Sequence, residues 1–264
     1  MEPPGGRKTA AGSTGGSQRL PFLCLGERNR RGDLNETISL VCLIMATPLD
    51  ILITGGTGYI GRNLIPPLIA RSHRVRVLAR KESVARVPAG ATAVIGDPLD
   101  DQSVARTLGT ADTLIHLVGT PHPTPSKADQ FEKVDLVSIR ASVNAARQVG
   151  IDHLVYVSVA HPAPIMQAYL WVRTLGETMI REAGITATIL RPWYVLGPGR
   201  QWPKLVLPLY KIAEWFPGTQ ATAERLGLVT IEQFITAMIS AAENPPIRGQ
   251  RRILDVPAIK RARL

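Results

Sequence analysis

The chain has 264 residues and 45% hydrophobic content, enough for one sizeable domain or a domain with a small annex. Its formal net charge of +10 invites a nucleic-acid reading, but the charge sits at the ends: residues 1–44 carry six Lys/Arg against four acids, residues 248–264 six against one, and residues 45–247 nineteen against sixteen. No basic face with a reading element is gathered in the body, so a nucleic-acid partner is not expected.

Residues 1–44 are rich in Gly, Pro, Ser and Thr without a period and read as a disordered extension. The apolar run ISLVCLIMA at 38–46 comes too late for a secretory signal and is too short for a membrane span, so a cytoplasmic protein is expected. From Met45 the sequence MATPLDILITGG reads as the start of a compact domain, which makes the preceding segment a start-site extension. Both cysteines, Cys24 and Cys42, fall before Met45, so the body offers no disulfide, thiolate nucleophile or cysteine ligand. The histidines His73, His116, His122, His153 and His161 lack the i, i+4 spacing of a helical metal site, and no metal is expected.

From residue 49 onward, short β-branched or apolar runs at 50–54, 74–79, 91–96, 112–118, 153–159 and 186–191 are mostly separated by segments long enough for helices. This alternation predicts an α/β fold: a doubly wound parallel sheet over residues 45–197, then a small, mostly helical substrate-side region and basic tail over 198–264. The first helix, about 59–71, contains Pro66 and Pro67, which predicts a kink or an early end. The longest, 128–149, sets Phe131, Val134, Leu136, Ile139 and Val143 on a broad apolar face and stops at Gly150. An amphipathic helix at 230–244 and a short strand at 251–257 close the chain.

Between the first strand and first helix stands Gly55-Gly56-Thr57-Gly58-Tyr59-Ile60-Gly61. Residues 56–61 satisfy the dinucleotide fingerprint in its required context, after a strand and at the opening of a helix. Gly56 is expected to make the tight turn, Gly58 to let the backbone approach a pyrophosphate, and Gly61 to allow close packing of helix on strand. The open N–H groups of the helix start attract the negative charge. Gly55, Gly58 and Gly61 also fit the alternative G-x-x-G-x-x-G spacing. An NAD site usually has an acid at the end of the second strand, whereas Arg80 and Lys81 stand here; cations there favour the 2′-phosphate of NADP over NAD.

These residues resemble the short-chain dehydrogenase/reductase superfamily, in particular its atypical and extended members, including the NmrA-like proteins. The likeness covers roughly residues 49 to 256. The Rossmann-fold accessory subunit of respiratory complex I belongs to the same broad group, and the chain resembles it too. The resemblance implies that Asp97 and Pro98, in GDPLDD, lie beside the adenine, and that Val118 and Gly119, in IHLVG, pass under the cofactor. It implies that Ser158, in VYVSV, is the active-site serine, and that Pro192 opens a loop over the nicotinamide.

Active members carry a Tyr and, four residues later, a Lys. Here these positions hold Tyr169 and Arg173. A free tyrosine titrates near ~10 and needs neighbouring positive charge to act at neutral pH. Arg173 offers the charge, but a guanidinium differs from an ammonium in reach and stays protonated. The bland alternative pairs Arg173 with Glu177 at i+4 on the helix surface.

Trp193 and Tyr194 follow the sixth strand directly and are the substrate candidates; Trp202, Tyr210, Trp215 and Phe216 supply a further aromatic wall. Two function classes follow. One is an NADP-dependent oxidoreductase, or a sugar-nucleotide-type epimerase or dehydratase, in which Tyr169 moves the proton. The other is a non-catalytic NAD(P)-binding regulator or assembly subunit. Helices beside strands four and five often pair subunits in the family, so an oligomer is compatible with either.

Overall fold

The structure, a computed structural model, describes residues 47–121, 123–162, 166–198 and 227–264. The expected extension at 1–44, both cysteines, His122 and the aromatic wall of Trp202, Tyr210, Trp215 and Phe216 lie outside the described residues.

Seven strands form one parallel sheet: β1 (Asp50–Thr54), β2 (Arg74–Ala79), β3 (Thr92–Ile95), β4 (Thr113–His116), β5 (His153–Val157), β6 (Ala187–Leu190) and β9 (Arg251–Leu254), in the order β3-β2-β1-β4-β5-β6-β9. Between β6 and β9 in sequence, β7 (Tyr194–Leu196) and β8 (Leu228–Thr230) pair with each other in a separate parallel ribbon. The helices are α1 (Tyr59–Ala70), α2 (Asp101–Leu108), α3 (Val137–Val149), α4 (Gln167–Glu182), α5 (Ile231–Glu243) and α6 (Val256–Arg261).

Alternate strand residues feed opposite faces of the sheet, as the period of two requires. Ile51, Ile53 and Val155 join Leu64, Ile65 and Phe234 of α1 and α5 in one core. Leu52, Leu154 and Tyr156 join Val104, Ile139 and Ile180 of α2, α3 and α4 in the other. Strands covered on both sides read as near-continuous apolar runs, which is why they stand out in the sequence.

Local chemistry sets the helix ends. Asp100 caps α2 by accepting from the backbone N–H of Gln102 and Ser103, and Thr230 and Gln233 form a reciprocal capping box at α5. Gly150 ends α3 in the left-handed conformation, with the N–H of Ile151 reaching the carbonyl of Ala146.

Two expectations are corrected. Helix α1 does not end at its prolines but runs through Pro66 and Pro67 to Ala70. The carbonyls these prolines cannot serve belong to Arg62 and Asn63, both on the exposed side, where solvent access lowers the cost of the missing donors. The helix over 128–149 is not uniform either. An α turn (Ala128–Gln130) leads into a π-helical stretch (Phe131–Leu136) before α3, and the wider turn buries the carboxylate of Asp135 together with Phe131 and Leu136.

Among the described residues no helix is long and apolar enough to cross a membrane, and no cluster of His, Cys, Asp or Glu could hold a metal ion.

Candidate functional site

β1 lies between β2 and β4, so the chain crosses from one side of β1 to the other after β3. In open parallel sheets such a switch leaves a crevice outside the carboxyl ends of the strands. Two cavities lie there. The first, of about 300 Å³, is lined by Gly55, Thr57, Arg80, Ser83, Arg86, Asp97, Pro98, Val118 and Gly119 among others. The second, of about 250 Å³, is lined by Gly58, Tyr59, Ile60, Ser158, Tyr169, Arg173, Pro192, Trp193 and Tyr194 among others. Gly55, Gly119, Thr120 and Pro121 line both, so the two are continuous.

The loop from β1 to α1 shapes the junction. Gly55, not Gly56, takes the left-handed backbone, at φ +75°, and a Cβ there would stand 2.7 Å from the main chain of Leu117 and Val118. The turn role expected of Gly56 thus falls on Gly55; Gly56 instead leaves room for the Val77 side chain. A Cβ on Gly61 would stand 2.2 Å from the Gly56 carbonyl oxygen, so only glycine lets α1 start this close to the loop. Helix α1 has neither a side-chain cap nor an acid in its first turn. The start of such a helix attracts an anion, and the glycine loop before it is a cradle that a diphosphate fits.

Also lining the first cavity, Arg80 directly follows β2 and Arg86 closes the next short helical stretch (Lys81–Arg86), donating to the buried Ser83 hydroxyl at 2.6 Å. Lys81 does not line the cavity. The Asp97 Oδ1 accepts from the N–H of Leu99 at 2.9 Å.

The second cavity is backed by two ion pairs, one buried and one partly buried. Arg173 is only 6% exposed. Its Nη2 donates to Asp135 Oδ1 at 2.6 Å and its Nη1 to the Val157 carbonyl at 3.1 Å, while its guanidinium lies 5.1 Å from the ring centre of Tyr169 and 6.0 Å from that of Tyr156. Gly119 makes room for it, since a Cβ there would stand 2.3 Å from Nη2. The other oxygen of Asp135 accepts from both the N–H and the hydroxyl of Thr120. In the second pair, Arg191 forks onto Glu177, whose Oε1 also accepts from the Ser158 hydroxyl at 2.6 Å.

The surface pairing of Arg173 with Glu177 is therefore replaced by these two separate pairs. Burial works against the charge of Arg173, but Tyr169, Tyr156 and Asp135 outweigh it and hold the group protonated above its usual range. Burial pushes the Tyr156 hydroxyl up to about 12 and keeps it neutral, against the pull of Arg173.

Ser83, Arg86, Thr120, Asp135 and Arg191 escaped the sequence reading, and Glu177 was read only as a surface partner of Arg173. Arg86 had a signal, being the second arginine of RKESVAR, and so had Asp135, an acid flanked by apolar residues within FEKVDL. Thr120 had none.

Comparison with known proteins follows the same lines. Residues 55–205 match the family model described as NAD(P)H-binding. A ceramide reductase of Caulobacter vibrioides is 27% identical over 210 residues, 78% of this chain and 64% of that protein. A 4-hydroxy-2-methyl-3-oxo-4-farnesyl-3,4-dihydroquinoline-1-oxide ketoreductase of Stigmatella aurantiaca is 28% identical over 167 residues, 55% of this chain and 50% of that protein. The chain thus spans less than two thirds of the length of either relative. Among solved structures, a short-chain dehydrogenase/reductase superfamily protein of Agrobacterium tumefaciens with bound NAD superimposes with a TM-score of 0.57 at 18% identity, over 80% of each chain.

Proposed function

The chain belongs to the NAD(P)H-binding family, within the atypical short-chain dehydrogenase/reductase Rossmann proteins, and from that premise we propose that it is an NADP-dependent oxidoreductase acting on a carbonyl or hydroxyl group. The observation that carries this reading is the continuity of the two cavities, with Arg80, Ser83 and Arg86 lining one and Ser158, Tyr169 and Arg173 the other.

In this reading the amides at the start of α1 hold the diphosphate, Asp97 and Pro98 flank the adenine, and Arg80 and Arg86 neutralise the 2′-phosphate. Bound NADPH supplies the hydride. Tyr169 gives its hydroxyl proton to the carbonyl oxygen, and the Arg173 charge steadies the phenolate left behind. Ser158 is committed as a donor to Glu177, so in this arrangement Tyr169 alone supplies the proton. The same reading has the protein working in the cytoplasm, a reducing compartment that suits a body without cysteines.

Titration with NADPH and NADH, followed by nicotinamide fluorescence, tests the cofactor. NADPH should bind at least tenfold tighter, and Arg86→Ala should erase the difference by weakening NADPH alone. No saturable signal from either dinucleotide would overturn the assignment. Tyr169→Phe should keep NADPH affinity and lower carbonyl reduction by about 10²–10⁴. The Arg173 position, where the family motif has lysine, favours a second reading, a dinucleotide-binding regulator without turnover. Unchanged activity in Tyr169→Phe would favour that one.

A further inference from the structure

We infer that the second cavity takes an uncharged ketone or secondary alcohol carried on an apolar body, and does not take a nucleoside-diphosphate sugar. This rests on the reading of that cavity as the substrate site.

The argument is one of compensation. A diphosphate brought into a desolvated cavity needs positive charge that is not already neutralised, because stripping water from unpaired charges costs several kcal/mol per ion. Among the described residues lining the cavity, Arg173 is the sole cation, and it is tied to Asp135 at 2.6 Å and to the Val157 carbonyl. The next arginine, Arg191, is tied fork to fork to Glu177. Neither leaves a net positive charge for a ligand.

Two polar neighbours turn inward in the same way. Thr120 gives both its N–H and its hydroxyl to Asp135, and Ser158 gives its hydroxyl to Glu177. These groups satisfy one another and present little to a polar headgroup. Tyr59, Tyr169 and Tyr194 also line the cavity, so the polar side chains beyond the paired ones carry neutral hydroxyls, and the Tyr169 ring packs against Phe131 at 5.1 Å. Around it stand Ile60, Val157, Val159, Trp193 and Val195. Neutral polar groups set among apolar ones, with the one lining cation already paired, match a ligand with a neutral oxygen to recognise and an apolar remainder to bury.

The test is calorimetric titration of the full chain in saturating NADP+, which leaves a ketone no hydride to accept, with methyl 3-oxodecanoate and 2-tetralone, an acyclic and a cyclic ketone, and with UDP-glucose. At least one ketone should bind saturably, Trp193→Ala should weaken it at least fivefold, and UDP-glucose should give no saturable heat. Saturable binding of UDP-glucose, or failure of both ketones to bind, overturns the inference. NADPH affinity measured on the same protein preparation separates the two claims: its loss sinks the cofactor reading, while UDP-glucose binding with NADPH affinity intact sinks the substrate class alone.

Discussion

Arg173 and Asp135 form a pair whose worth depends on both partners being present. A buried ion pair stabilises little against a well-packed apolar pair, but removing one partner strands the other. Arg173→Met is therefore expected to destabilise the protein by about 3–5 kcal/mol in urea denaturation. The double variant Arg173→Met with Asp135→Leu should lose less than the sum of the two single losses, because no charge is left unpaired. Additive losses would show that the two side chains do not act as a pair. Tyr169 and Arg173 were singled out by the family resemblance, which places such a pair on the helix after the fifth strand. Their surroundings were not. The i+4 rule correctly says that Glu177 is a helical neighbour of Arg173, yet it ignores what the sheet offers. Glu177 meets Arg191 at the end of β6 and Ser158 at the end of β5, while Arg173 reaches Asp135 on a different helix. Partners fixed by tertiary packing leave no period in the sequence.

Helix α1 and the loop before it make the clearest element-level case. A methyl group on Gly61 would meet main chain rather than a flexible side chain, so the helix itself must shift. Gly61→Ala is expected to lower dinucleotide affinity at least a hundredfold and stability by about 1–3 kcal/mol. Thr230→Ala, which removes the capping box of α5, should cost about 1 kcal/mol and leave dinucleotide affinity unchanged. Equal affinity losses in both variants would mean that the loop geometry has no special part in binding. The main strands were legible to within one or two residues at most ends because burial on both faces writes them as apolar runs. The three-residue strands β7 and β8 were not. They are too short to show alternation, and their partners are remote in the chain. The π-helical stretch was equally hidden, since the apolar face continues through it and only the inward turn of Asp135 betrays it.

Across the whole molecule, two imidazoles built into the sheet link stability to pH. Burial, reinforced by the charge of Arg173, pushes His116 down to about 3; burial, reinforced by Arg252, pushes His153 down to about 4. His116 meets the Thr54 hydroxyl on β1 and the Ser142 hydroxyl on α3, and His153 meets Thr188 on β6, so each is fixed between elements rather than on a loose surface. In the unfolded chain an imidazole titrates near ~6.5. Between that value and the folded values the unfolded state binds more protons, so the folded state loses ground as pH falls. Above the unfolded value both rings are neutral in both states and the contribution is fully present. Asp50 and Glu243, held below the usual carboxylate range by their arginine partners against the opposing effect of burial, act with the same sign in a more acidic window. Going from about pH 7 to about pH 5 should therefore lower the unfolding free energy by roughly 1–2 kcal/mol for each histidine. His116→Asn, whatever its own effect at neutral pH, should make that decline shallower. Urea midpoints measured at the two pH values decide it: a midpoint that does not fall, or an equally steep fall in His116→Asn, would mean that the rings take up protons within the folded sheet.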